Sequence, residues 1–269
     1  MELQQDSIIV SARIEALFNL KLSNYFTHVF VTDGECVMKY SGEQVKMGKG
    51  DCVIIVANHL VTELHPTDDF HAKIIFIEPG FMDVCTPHTS YGIVGGMTMF
   101  INPVMHLDER DQWLCEHDFD EIIRRICEPH RHFQGDAVMA ATQMMFCDFY
   151  EFHAHLYGQP EISALTASLM KQFFKLLERG DYRTKRDVAY YADQLCVTPK
   201  YLSEVSKIAS GRPAGFWIDR YASIELSRLL RDKQLSLTDI CYRFEFSSMS
   251  HFSRYVQKNL GMKPSDFRQ

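Results

Sequence analysis

The feature that most limits what this chain can become is a pattern that occurs twice in its last eighty residues. Residues 187–195 (DVAYYADQL) read as a short helix and Cys196-Val197 as a tight turn. Thr198 then caps a second helix with Pro199 at its first position, where a missing N–H is tolerated. That helix (TPKYLSEVSKIASG) sets Leu202 and Val205 on one face and stops at Gly211. The plan returns at residues 237–244, with Thr238 near the start and a turn at Phe246-Ser247. Ser248 opens the last helix, with Phe252, Tyr255 and Val256 on its inner side, and Leu260-Gly261 closes it. A short helix bracing a second helix with a polar outer face is the helix-turn-helix plan, in which the second helix enters the major groove of DNA. Single pairs of this kind are common in helical cores. Two in one helical region are a different matter.

The connector gives the pair a spacing. Residues 213–231 (PAGFWIDRYASIELSRLLR) carry Phe216, Ile218, Tyr221, Ile224 and Leu229 and no breaker after Gly215. A helix of about 19 residues spans roughly 28 Å, against about 34 Å between successive major-groove faces. A rod of that length holds two reading heads on one side of a duplex.

Charge agrees, once it is divided. The chain carries a formal −7 overall, but residues 181–269 hold 15 Lys+Arg against 10 Asp+Glu, a net of +5, and residues 1–180 hold 13 against 25, a net of −12. Only the basic C-terminal part is suited to meet a polyanion.

The stretch 246–268 (FSSMSHFSRYVQKNLGMKPSDFR) resembles the signature of the AraC/XylS family of bacterial transcription regulators: a Phe-Ser turn, Phe-Ser-Arg in the helix, then Gly-x-x-Pro-Ser-x-aromatic-Arg. Residues 198–220 match the corresponding first-unit pattern. The chain departs from the family with Glu245 for Gly, Val256 for an aromatic, Glu204 for a basic residue and Ser206 for Phe. The resemblance implies double-stranded promoter DNA as a partner, control by a small-molecule effector bound in the N-terminal domain, a homodimer, and contact with RNA polymerase. It also implies an α+β fold: a cupin-like β-barrel or jelly roll with a helical dimerisation segment over residues 1–160, then an all-α DNA-binding domain over 161–269 with two helix-turn-helix units joined by a long helix.

Position in the two second helices selects Lys200, Ser203, Glu204 and Lys207, and Ser250, His251 and Arg254, as base readers. Lys and Arg donate to guanine, and Glu accepts from cytosine N4. Glu204 alternatively holds Lys200 or Lys207 by helical spacing. Lys185, Arg186, Thr198, Arg212, Ser248, Lys258 and Lys263 are phosphate contacts, which position without reading sequence. Thr198 and Ser248 double as helix caps.

The N-terminal part reads as β over residues 26–78. Asp33-Gly34 and Ser41-Gly42 suit tight hairpins, residues 48–51 make another turn, and a further strand pair fits 61–64 and 71–77. Phe26, Phe30, Met38, Tyr40, Ile55 and Phe76 are the candidate lining of an effector pocket, with a filled core as the alternative. Residues 108–129 and the stripe Val138, Met145, Phe149, Phe152, Leu156, with Thr142 in its gap, are helical. The stripe fits either a dimer seam or packing on the chain's own β-region. Residues 158–163 are the expected linker.

Eight cysteines without a C-x-x-C pair, several in apolar runs, suit reduced and mostly buried thiols in a cytoplasmic protein. No apolar stretch reaches membrane length, and residues 1–10 lack a signal-peptide pattern. His59, Glu63 and His65 invite a metal, but the order seen in cupin enzymes is absent. Cys127, His130 and His132 sit in a loop, and His153 and His155 point to different helical faces. No metal, cofactor or catalytic residue is assigned. The rival reading is a metal-dependent cupin enzyme with an accessory helical domain.

Overall fold

The computed structural model describes residues 7–87, 102–128, 132–158 and 162–268. It divides into two units, Met1–Gln159 and Pro160–Gln269. Among the described residues the first contains eight strands: β1 (Ile8–Ser11), β2 (Phe26–Asp33), β3 (Glu35–Tyr40), β4 (Glu43–Gly48), β5 (Asp51–Ile55), β6 (Val61–Pro66), β7 (His71–Ile77) and β8 (Val104–His106). They form two antiparallel sheets, ordered β1-β7-β2-β5-β8 and β4-β3-β6.

The turns decide this arrangement. Ser41 and Gly42, at φ of 55° and 85°, close the β3–β4 hairpin with Tyr40 opposite Glu43. Asp33-Gly34 does not make the expected hairpin. Strand β2 pairs with β5 and β7, whereas β3 pairs with β4 and β6, so the chain changes sheet at this corner. Only glycine fits there: φ is +68°, and a Cβ would lie 2.7 Å from the Phe70 backbone. The expected pairing of residues 61–64 with 71–77 is also absent, because β6 and β7 belong to different sheets. Short connections that cross between sheets are how a sandwich closes its ends.

Among the described residues, three α-helices complete this unit: α1 (Pro79–Cys85), α2 (Glu109–Cys127) and α3 (Gln134–Tyr157). Asp108 caps α2 by accepting from the N–H of Asp111 at 2.9 Å. One core joins Phe30, Cys52, Ile54, Ile75 and Ile77 of the large sheet to Phe119 and Ile122 of α2 and to Val138, Met145, Phe149 and Phe152 of α3. The apolar stripe of α3 therefore packs on its own domain and offers no seam to a second copy. Thr142 fits the stripe by donating its hydroxyl to the Val138 carbonyl at 2.8 Å, and Leu156, at the helix end, is exposed.

The same core corrects the proposed pocket. Side chains alternate across a strand, and Phe26 and Phe30 share the helix-facing side of β2, where Phe30 packs on Phe119 with ring centres 6.1 Å apart. Met38, Tyr40, Ile55 and Phe76 are buried on the opposite side, between the sheets. The six residues cannot line one cavity. The cysteines are mostly buried, as expected: five free thiols lie inside, and Cys127, Cys147 and Cys196 are exposed.

The second unit is helical throughout its described residues: α4 (Ala164–Arg179), α5 (Val188–Gln194), α6 (Pro199–Ser210), α7 (Ala214–Arg231), α8 (Leu237–Arg243) and α9 (Met249–Leu260), with short 3-10 turns at Asp181–Arg183 and Pro264–Arg268. Among the described residues, no helix is long and apolar enough to cross a membrane.

Candidate nucleic-acid interface

Local chemistry starts and stops each helix of the two motifs. Asp187 accepts from the N–H of Tyr190 at 3.0 Å and opens α5. Thr198 accepts from Tyr201 N–H at 3.2 Å and opens α6. In the second motif Ser236 and Asp239 form a reciprocal capping box at α8. Ser248 accepts from His251 N–H at 3.1 Å and opens α9. Left-handed Gly211 and Gly261 end α6 and α9. Between the helices of each motif one non-glycine residue adopts positive φ, Cys196 at 55° and Glu245 at 49°. The family's glycine at the second of these positions now has a geometric reason.

The inner faces are apolar and closed. Leu202, Val205 and Ala209 of α6, and Phe252, Val256 and Leu260 of α9, are all buried. Ser206, standing where the family has Phe, is fully buried and donates its hydroxyl to the Arg212 carbonyl at 2.7 Å. The polar side chains lie outward. Lys200, Glu204 and Lys207 on α6 are exposed and Ser203 is half-buried; Ser250, His251 and Arg254 on α9 are exposed. Glu204 stands 4.0 Å from Lys200 across one helical turn, and His251 Nδ1 is 3.2 Å from the Ser247 hydroxyl.

Lys185, Arg212, Lys258 and Lys263 are exposed, and the Arg212 guanidinium rests 5.2 Å from the centre of the Phe216 ring. Thr198 and Ser248 use a hydroxyl lone pair for capping, which leaves the O–H free to donate outward. Arg186 is a correction. It points inward, donating to the carbonyls of Tyr182, Arg183 and Phe244, with its guanidinium 4.2 Å from the centre of the Phe246 ring. This half-buried guanidinium, held through Nη1 by carbonyls and set against an aromatic face, is turned into the domain rather than toward an outer phosphate.

Between the motifs runs α7, 18 residues without a break and about 27 Å long. Both motifs are fastened to it. Trp217 is buried and donates from Nε1 to the Ser210 hydroxyl at 2.9 Å. Two residues further along, Asp219 accepts from the Tyr255 hydroxyl of α9 at 2.6 Å. Glu225 is a buried node: it accepts from the Tyr182 hydroxyl at 2.7 Å and from Arg183 Nε at 2.8 Å, and lies 3.8 Å from Arg243 of α8. The sequence carried a usable sign of it. Glu225 sits in line with Ile218, Ala222 and Leu229, a carboxylate on the buried stripe of a helix.

The metal candidates are not gathered into one site. His59 is buried in a 3-10 turn, its Nδ1 3.1 Å from the Ser23 carbonyl, whereas Glu63 and His65 are exposed on β6 and Glu63 pairs with Lys39 at 3.1 Å. Cys127 is exposed and His130 lies outside the described residues, as does Pro129. His153 is buried, and His155 bonds Asp111 at 3.2 Å. Among the described residues, Asp108, Asp111 and His155 bring three potential ligand atoms together, with Asp111 held by the other two.

Comparison with known proteins agrees with this geometry. A helix-turn-helix domain model matches residues 191–269. The HTH-type transcriptional activator RhaS of Escherichia coli (strain K12 / DH10B) is 32% identical over 78 residues, covering 29% of this chain and 28% of RhaS. The match thus spans little more than a quarter of that relative. The fatty-acid-bound crystal structure of ToxT from Vibrio cholerae strain SCE256 superposes with a TM-score of 0.52 at 13% identity, covering 99% of this chain and 96% of ToxT. At that identity the likeness is one of fold. Two capped motifs on one continuous helix, with a sequence match confined to the same residues, make the C-terminal unit a double helix-turn-helix domain similar to the matching part of RhaS.

Proposed function

We propose that this chain is a sequence-specific DNA-binding transcription regulator of the AraC type. The observation that carries the proposal is the pair α6 and α9: two capped helices with polar outer faces, both fastened to the continuous helix α7. In this reading Lys200, Ser203, Glu204 and Lys207, with Ser250, His251 and Arg254, read base edges in adjacent major grooves. Lys185, Thr198, Arg212, Ser248, Lys258 and Lys263 hold phosphate. Basic side chains on the C-terminal unit supply the long-range attraction, and the acidic remainder keeps nonspecific contact down.

The N-terminal unit takes a small-molecule effector and joins a second copy of the chain in the cytoplasm. ToxT, of similar fold, carries a fatty acid in one of its structures, which supports an effector role for this half. RhaS is named an activator, and an activating role here makes RNA polymerase a partner. An effector acts only if its affinity differs between two states of the protein.

Selection of bound fragments from random duplex DNA tests the proposal. A recovered site with two conserved elements about one helical turn apart, and affinity that falls steeply with salt, is the expected result. Recovery of no enriched sequence would remove it. Sedimentation of the full chain, with and without the selected DNA, tests the homodimer.

A further inference from the structure

Along the outer side of α2, Glu109, Trp113 and Glu116 fall at i, i+4 and i+7, so an indole stands between two carboxylates on one helical face. They line a groove of about 240 Å³ whose other wall includes Thr32, Lys49 and Gly50. Gly50 suits this turn because its φ is +86°, a conformation strained for other residues, and it leaves room for the Gln112 side chain. One face of the Trp113 ring is covered by His117, stacked at 5.6 Å with the planes 2° apart. The indole is nevertheless 66% exposed, so its second face is open. The other tryptophan of the chain, Trp217, is fully buried.

The charges of the groove are mostly neutralised from within the protein. Lys49 stands 3.6 Å from Asp33, and Glu116 stands 2.9 Å from Lys73. Glu109 has no ion-pair partner among the described residues. An open indole face beside an unpaired carboxylate, on a unit of net charge −13, is complementary to a positive ligand. The ring quadrupole attracts a cation over its face, and the domain's field repels anions. The volume is below the roughly 300–1,000 Å³ of pockets for drug-sized ligands, so the occupant is small.

We infer that this groove binds a small organic cation, a protonated or quaternary amine, with its nitrogen over Trp113 and facing Glu109. The site is separate from the interior residues first considered as an effector lining, and it stands whether or not the C-terminal unit reads DNA.

Trp113 reports its own occupancy, because it is the exposed one of two tryptophans. Choline and protonated benzylamine are titrated into the full chain without DNA, against the neutral analogues dimethylbutanol and benzyl alcohol, with Trp113 emission as the readout. The expected result is saturable quenching by the cations and none by the alcohols. Calorimetry with the same cations should show binding about fivefold or more weaker in Trp113→Leu, with a comparable loss in Glu109→Gln. Both changes are at exposed positions, and a thermal melt verifies folding. Equal response to cations and alcohols, no saturation by either cation, or undiminished binding in Glu109→Gln would overturn the assignment. So would an emission shift on raising protein concentration alone, which would assign the face to a second copy of the chain.

Discussion

The Arg186 guanidinium donates from Nη1 to the Phe244 carbonyl at 2.8 Å, across 58 residues of sequence. Phe244 is the residue that ends α8, so this bond ties the entry to the first motif to the turn of the second. The Phe246 ring beneath the guanidinium, 4.2 Å from its centre, makes the same connection.

Arg186→Ala should therefore lower the stability of the C-terminal unit by about 2–3 kcal/mol, the range of a charged hydrogen bond lost from a partly buried site. Arg186→Lys should recover little of it, since an ammonium cannot spread over three carbonyls and an aromatic face. Urea melts measure this. The salt dependence of DNA binding should keep its slope in the variant, whereas loss of a phosphate contact would reduce it by about one.

Glu225 is 6% exposed and gathers Tyr182, Arg183 and Arg243 around its carboxylate. Removing one member of a buried charged group leaves the others unpaired, at a cost of about 3–5 kcal/mol. Glu225→Ala should unfold the C-terminal unit at markedly lower denaturant, and Glu225→Gln should fall between it and wild type.

Cys196 and Glu245 hold left-handed backbone in the two motif turns. Left-handed geometry costs a non-glycine residue about 1–2 kcal/mol, partly offset by the larger chain entropy of glycine when unfolded. Cys196→Gly and Glu245→Gly should each stabilise the unit by a net of about 0.5–1 kcal/mol, with DNA affinity unchanged. A lower melting temperature in either would contradict the assigned turn geometry.

Arg254 is exposed on the outer face of α9. Arg254→Ala should weaken binding to the selected site by about 1–3 kcal/mol and relax preference at one base pair. Lys258→Ala should weaken matched and mutated sites alike. Paired gel-shift titrations separate the two behaviours.

In the N-terminal unit, burial, reinforced by the neighbouring Asp148, pushes the Asp118 carboxyl up to about 7. Between about pH 4 and 7 the folded protein keeps a proton that the unfolded chain releases, so this group makes stability fall as pH rises, by at most about 1.4 kcal/mol per pH unit. His28 acts with the opposite sign: burial lowers its pKa to about 3, so the unfolded chain alone takes up its proton below pH 6.5. Asp118→Asn isolates the first effect. Its melting temperature should gain on wild type steadily from pH 4.5 to 7.5; a constant difference would refute the carboxyl's assigned state.

Local rules made the C-terminal motifs readable. Capping residues, terminal glycines and inner-face apolar residues act within a turn or two of helix, so their positions in the chain are their positions in space. The outward placement of Lys200, Glu204, His251 and Arg254 follows from the same 3.6-residue period. Pairing across distance has no such local sign. Whether Asp33-Gly34 folds β2 onto β3 or carries the chain to another sheet depends on which strands lie alongside, and those are β5 and β7. Whether the stripe on α3 meets a partner or its own sheet depends on an apolar face that alternation supplies from either source. Arg186 reads as a free cation until Phe244 and Phe246, far along the chain, close over it. Sequence alone determined the helices of the C-terminal unit and most strands between residues 26 and 78, with the apolar face of each, though not β1, α1 or β8; tertiary packing decided what each face and each long charged side chain would meet, because burial and hydrogen bonding over tens of residues depend on the whole arrangement of the chain.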